Sequence, residues 1–284
     1  MVDVDETPVP GAPVGDSGLV ATAAGIAGQV RLVGGRDAVR VVAAGQRAVE
    51  AVIDAACREV LKANKLEDAY MRPLAWRGSE QMGVSAQRTR PHLAIAAWPW
   101  GAYFGEEAIA KGLRLDIAKW RRPAPYTAPT GSKASGLYMI CTLARHDAQA
   151  KGYDDALMFD WRGQVAEGTG ANAFFVKDGA LHTPTPDCFL DGITRQTVIG
   201  LARARGIEVV ERAIWPEELE GFEQFFVTGS AAEVTPVAEA GPWRFEVGAL
   251  SLQLRSDYLD LVNRRIANVP PFDPALNIAS EPAR

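Results

Sequence analysis

Cysteine and histidine are scarce in this chain, three of each among 284 residues. Cys57, Cys141 and Cys188 form no CxxC pair, so neither a disulfide framework nor a zinc site is expected, and a reducing compartment fits. His92, His146 and His182 are too dispersed for a metal cluster. Lysine is scarce as well, with seven against twenty-three arginines. No apolar run approaches the length of a membrane span. The N-terminus has no basic segment followed by an apolar core, so no signal peptide is expected. A net charge of −5 gives no large basic field of the kind that nucleic acid needs. These absences point to a cytoplasmic protein without nucleic-acid or membrane partners. Its chemistry must rest on other residues or on a borrowed cofactor.

What is present is a core. The chain is 48% hydrophobic, enough at this length for two compact lobes. Residues 1–50 are rich in Ala, Val, Gly and Arg, and the first seventeen read as a disordered tail. From Ala51 a helical spacing runs to Asn64. Tyr70 to Trp76, Leu93 to Trp98 and Leu113 to Trp120 read as strands, with Gly101 and Gly105 bracketing a turn. Residues 51–120 therefore read as a small α+β lobe. The proline-rich stretch 121–132, RRPAPYTAPTGS, suits neither a helix interior nor a central strand and reads as an interdomain linker. Residues 133–268 read as a larger lobe. It has a helix over Lys133 to Lys151, a buried strand over Asp155 to Phe159, and a hairpin around Asp178-Gly179. Further on come a helix from Thr194 to Arg205, strands over Ile207 to Ile214 and Phe225 to Thr228, and a last helix over Ala249 to Val262. Residues 269–284 read as a loose tail.

Lys133 stands apart from the other lysines because its neighbours Gly131, Ser132, Ala134, Ser135 and Gly136 are all small. Such neighbours leave room for a bulky group to approach the ammonium, and a desolvated lysine attacks carbonyls. By this context alone a linker or surface lysine is the competing reading. Glu167 lies in VAEGTGAN, among glycines. A carboxylate there can keep a pyridine nitrogen protonated, or it can merely cap a turn. LDGITR, residues 190–195, opens a helix. The N–H groups of Ile193 and Thr194 can bind phosphate, unless Asp191 simply caps the helix. In FVTGSAAEVTPV, residues 226–237, hydroxyls and N–H groups at a strand end can complete an anion cradle, or the segment is an ordinary strand exit.

Taken together and in order, these pieces resemble the class IV pyridoxal-phosphate aminotransferases of fold type IV, an α+β, two-domain fold like that of D-amino acid aminotransferase. The resemblance covers about two-thirds of the chain. It implies pyridoxal 5'-phosphate as cofactor and Lys133 as the Schiff-base lysine. By the same resemblance Tyr138 bonds the cofactor's phenolic oxygen and Glu167 faces its pyridine nitrogen. Ile193, Thr194 and Ser230 take phosphate-cradle positions, and Ala231 lies near the substrate carboxylate.

AYMRP, MGV and AAWPWGAYFG resemble the branched-chain amino acid aminotransferases in particular. That implies Tyr70, Arg72, Trp100 and Tyr103 at the substrate pocket, with Arg72 binding a carboxylate. It also implies a homodimer or higher homo-oligomer in which Met82 and Val84 belong to a loop that reaches the partner's active site. An aromatic and aliphatic pocket suits Leu, Ile or Val, and a polar group such as Arg72 admits glutamate. Core packing is the competing reading for Trp98 and Trp100, and a structural ion pair for Arg72. The implied reaction is transamination of branched-chain L-amino acids with 2-oxoglutarate. The alternatives are a D-amino acid or amine transaminase, an aminodeoxychorismate-lyase-like enzyme, or a catalytically impaired homologue. The last arises because the family's N-terminal segment, with its phosphate-binding arginine, finds no match in residues 1–50. The small lobe is thus incomplete relative to the family.

Overall fold

The computed structural model describes residues 46–100 and 104–263. Most of the atypical N-terminal region, Tyr103 and the tail lie outside them. The chain divides into two compact units after Gly101.

In the first unit, α1 (Gln46–Asn64) carries its apolar residues on one face and packs on an antiparallel hairpin. The hairpin pairs β1 (Tyr70–Arg77) with β2 (Pro91–Trp98), and Tyr70 lies opposite Trp98. β2 opens on proline, which a first strand residue tolerates because no ladder donor is needed there. The three expected elements are present within a few residues of their expected bounds.

The second unit opens with a short helix, α2 (Gly105–Lys111), where a turn was expected. Gly112 follows with φ at 76°, a left-handed backbone, and a Cβ there would meet Ala238. β3 (Leu113–Arg122) comes next. This strand was expected in the first lobe and to end at Trp120. Instead it pairs with strands of the larger sheet and takes in the first two residues of the expected linker. Its apolar residues need a second layer, and only the larger sheet provides central neighbours on both of its edges.

The large sheet has nine strands: β3, β4 (Asp155–Asp160), β5 (Val165–Gly168), β6 (Asn172–Lys177), β7 (Ala180–Pro184), β8 (Val209–Arg212), β9 (Gln224–Gly229), β10 (Glu233–Ala240) and β11 (Trp243–Arg244). The helices are α3 (Met139–Ala150), α4 (Ile193–Ala204) and α5 (Ala249–Val262), with 3-10 turns at Ser135–Tyr138 and Pro216–Gly221. β10 pairs with β3, β3 with β4, β4 with β5, β5 with β6, β6 with β9, and β9 back with β10. These pairings close a ring of six strands, from which β7–β8 and β11 extend.

Alternation along the strands sorts the core into layers. Leu157, Ala173, Phe175, Phe225, Val227 and Val237 share one cluster drawn from around the ring. Phe174, Val176, Phe226 and Val234, of opposite parity, pack with α4 and α5 through Val198 and Leu254. Ala156 and Met158 pack beneath α3 through Cys141, Ala144 and Ala148.

Three strands escaped the sequence reading, among them the two-residue β11. β5 has only four residues, too few for a period. β10 contains Pro236, which argues against a central strand. It is tolerated because pairing with β3 begins only at Val237 and then shifts register before Glu239. The Asp178-Gly179 hairpin formed as expected, with both residues at positive φ, 50° and 75°. The expected strand over Ile207 to Ile214 shortens to β8.

Phe175 is fully buried and stacks on Phe225 at 4.5 Å between ring centroids. We expect Phe175→Ala to cost about 3–5 kcal/mol. Urea unfolding monitored by circular dichroism measures this, and a loss under about 1 kcal/mol would mean that this cluster does not hold the ring together.

Candidate active site

One row of the large sheet carries Glu167, the candidate acid of the larger unit. Met158 on β4 lies opposite Glu167 on β5, Glu167 opposite Asn172 on β6, and Asn172 opposite Thr228 on β9. Residues opposite one another in a sheet share a face. Met158 packs under α3, so the whole row lies on the helix-covered face.

Glu167 is the polar centre of this row. Its Oε1 lies 3.3 Å from Arg122 Nε, and its Oε2 accepts a 3.4 Å hydrogen bond from Asn172 Nδ2. Burial pushes its carboxyl up to about 7, against the opposing charges of Arg122 and Lys133. Glu167 is therefore a buried strand residue and not the cap of a turn. Nearby, Asp155 is buried and accepts a hydrogen bond from Thr169 Oγ1, and burial raises its carboxyl too.

Lys133 and Tyr138 come together as expected: Lys133 Nζ donates to the Tyr138 hydroxyl at 2.8 Å. The small residues around Lys133 do not bury it, for it is exposed. Gly131 and Gly136 have open space around them, so room beside the lysine is a real feature. The helix expected over Lys133 to Lys151 resolves into the turn Ser135–Tyr138 and then α3, which places Tyr138 at the junction.

α4 begins at Ile193 with Gly192 as its N-cap and no side-chain cap. Asp191 does not cap it. Its carboxylate instead accepts from Arg195 Nη1 at 2.7 Å and from Gln196 Nε2 at 3.0 Å. With the side chain of Asp191 engaged elsewhere, the first N–H groups of the helix are left for another acceptor. Thr194 is buried there and Ile193 exposed. A Cβ on Gly192 would run into Asn172 Oδ1, so glycine is required for this approach. Asn172 also donates to Leu190 O at 2.8 Å, which ties the helix start to Glu167. Ser230 and Ala231 lie in the tight turn joining β9 to β10, with Ser230 exposed. That segment is a hairpin turn and not a strand exit into a loop. A Cβ on Gly229 would lie 3.3 Å from Gly170 O, so the hairpin sits against the Thr169–Ala171 turn beside Glu167.

Two residues were missed. Arg122 stood at the head of a segment taken for linker and had no local signal. Asn172 was inside the VAEGTGAN motif, yet its two hydrogen bonds depend on strand register, which composition does not reveal.

In the first unit Tyr70, Trp98 and Trp100 form an aromatic cluster, with Tyr70 4.6 Å from Trp100 and 5.1 Å from Trp98. Arg72 lies over the Tyr70 ring at 5.9 Å. It makes no salt bridge among the described residues. Trp100 is 41% exposed and so is not a core residue of this unit. Met82 and Val84 are fully exposed in the β1–β2 connection.

The raised carboxyl of Glu167 has a consequence for stability. Between 4.5 and about 7 the folded chain holds a proton that the unfolded chain releases. Stability from this group therefore falls as pH rises through that window. In the cofactor-free protein we expect Glu167→Gln to flatten the dependence of melting temperature on pH across it. An unchanged slope would show that the carboxyl is not held neutral by burial.

Residues 41–240 match the Amino-transferase class IV family model. The branched-chain-amino-acid aminotransferase of Pseudomonas aeruginosa is 40% identical over 214 residues, covering 74% of this chain and 70% of that protein. The Escherichia coli K12 relative of the same name is 43% identical over 184 residues, and the match spans only 60% of its length. The crystal structure of the Escherichia coli enzyme superposes with a TM-score of 0.69 at 39% identity, covering 72% of this chain and 69% of that one. The enzyme of Thermobaculum terrenum, described as the PLP-form, superposes at 0.67 with 31% identity over 73% and 69% of the two chains. With this family model spanning most of the chain and relatives at 40% identity or more, the chain belongs to the class IV aminotransferases.

Proposed function

We propose that this chain transaminates branched-chain L-amino acids (leucine, isoleucine, valine) with 2-oxoglutarate, giving the branched-chain 2-oxo acids and glutamate, with pyridoxal 5'-phosphate as cofactor. The observation that carries this reading is the Lys133–Tyr138 contact at 2.8 Å, in a unit that also holds Glu167 buried and paired. The names of the relatives favour this over the D-amino acid, amine and lyase alternatives.

The residues present fit the cofactor. Lys133 has space beside it and an amine able to carry the group. Glu167 is a buried carboxyl with a basic partner, suited to a ring nitrogen. The start of α4 lacks a side-chain cap, and a helix N-terminus favours phosphate. Thr228 Oγ1, on the same sheet face as Asn172, is buried without a hydrogen-bond partner among the described residues. When bound, pyridoxal phosphate supplies an electron sink for the substrate's α-carbon.

The chain's own residues supply position and protons. Lys133 would hold the cofactor through Nζ, and its amine would move a proton from the substrate's α-carbon. The Tyr138 hydroxyl accepts from Lys133 and orients it. Glu167 would hold a proton at the ring nitrogen. The N–H groups of Ile193 and Thr194 and the Ser230 hydroxyl would bind the phosphate. Ala231 would offer backbone to the substrate carboxylate, and Arg72 would bind a carboxylate. Tyr70, Trp100 and Tyr103 would line a pocket for an aliphatic side chain. The homodimer reading draws support from the exposed apolar Met82 and Val84, which would reach the partner's site. We place the enzyme in the cytoplasm, in keeping with its three free cysteines.

Purified protein given the cofactor is expected to develop a visible absorption band and to convert leucine in a half-reaction. Lys133→Ala should abolish both. A band that survives this substitution removes Lys133 from its role, and a band without leucine turnover removes the substrate assignment.

A further inference from the structure

Arg122 ends β3 with its side chain 95% buried, facing a carboxylate that is itself 90% buried. A buried arginine–carboxylate pair contributes little net stability, because desolvation offsets most of the attraction. Its location is more informative. While Nε faces Glu167, Nη1 reaches Leu137 O at 3.5 Å and Cys141 Sγ at 3.2 Å. Leu137 precedes Tyr138 in the 3-10 turn, and Tyr138 is the partner of Lys133. One guanidinium therefore touches the acid on β5 and the turn that presents the tyrosine. The geometry needs arginine, because a lysine ammonium cannot address three groups from a rigid fork.

We propose that Arg122 is a positioning residue of the active site, tying Glu167 to the turn that carries Tyr138 and favouring ionisation of the Glu167 carboxyl against its buried surroundings. The proposal rests on the reading of Glu167 as the ring-nitrogen acid. The charged and titratable groups near Glu167 are Arg122 from β3, Lys133 from the loop before the turn, Asp155 from β4 and Cys141 from α3. Asp155 opposes ionisation of Glu167, and Lys133 and Arg122 favour it. Of the two cations only Arg122 is buried with it. Asn172 is neutral and cannot replace that charge.

The test compares the full-length wild type with Arg122→Met and Arg122→Lys. The first readout is the infrared carboxyl band of Glu167 in the cofactor-free protein, identified by its loss in Glu167→Gln. In Arg122→Met its titration midpoint should rise by roughly one pH unit or more, a tenfold change in ionisation or greater. In Arg122→Lys it should rise by less, a partial rescue. The second readout is the pH dependence of the visible band after cofactor loading, which should shift in the same order. An unmoved Glu167 midpoint in Arg122→Met overturns the proposal. If that variant does not fold, Arg122→Lys decides alone: a raised midpoint supports the tie and an unchanged one overturns it. A Glu167 midpoint that moves while the loaded band does not would leave the tie in place and remove Glu167 from the ring nitrogen.

Discussion

Burial of one carboxyl group shapes the chemistry of the larger unit. Glu167 lies on a short strand beneath α3, where water cannot solvate its charge. Arg122, Lys133 and Asn172 offset that cost in different ways: a buried charge, an exposed charge and a hydrogen bond. The balance leaves the carboxyl near the pH at which a cell operates, so a modest change in its surroundings changes its charge. A cofactor ring nitrogen brought to it would be such a change. An exposed glutamate would keep its ordinary acidity and respond weakly.

The ring of strands makes this arrangement precise. Because β10 pairs with both β3 and β9, the sheet has no open edge between β3 and β6 and cannot splay. The row from Met158 to Thr228 is thereby held at ladder spacing, and a slip of one residue would turn Glu167 to the opposite layer. Asn172 uses that register twice, once toward Glu167 and once toward Leu190 at the entry to α4. The acid and the helix N-terminus are thus joined through a single amide. Gly192 permits the approach because it has no side chain to collide with it.

The arginines divide in the same manner. Arg195 is buried and holds Asp191 and Glu211. It thereby draws the Asp191 side chain away from capping the start of α4. Arg122 is buried and faces Glu167. Neither makes its contribution as a surface charge, although arginine is the commonest basic residue in the chain.

Local patterns were enough for much of the fold. The helices over 51–64, 194–205 and 249–262, the Asp178-Gly179 turn and the buried β4 follow from periodicity, turn chemistry and short apolar runs. The order of Lys133, Tyr138, Glu167, Thr194 and Ser230 was likewise legible, and with it the family. What local pattern could not decide was pairing. β3 looked like a strand of the first lobe because its neighbours in sequence lie there, yet its hydrogen bonds go to β4 and β10. β5 was too short to carry a period, and Pro236 disguised β10. Arg122 and Asn172 gained their roles only when strands distant in sequence set them beside Glu167. The sequence by itself determined which groups could do the chemistry. Tertiary structure alone decided which of them are buried together, because desolvation and register depend on the neighbours across the sheet.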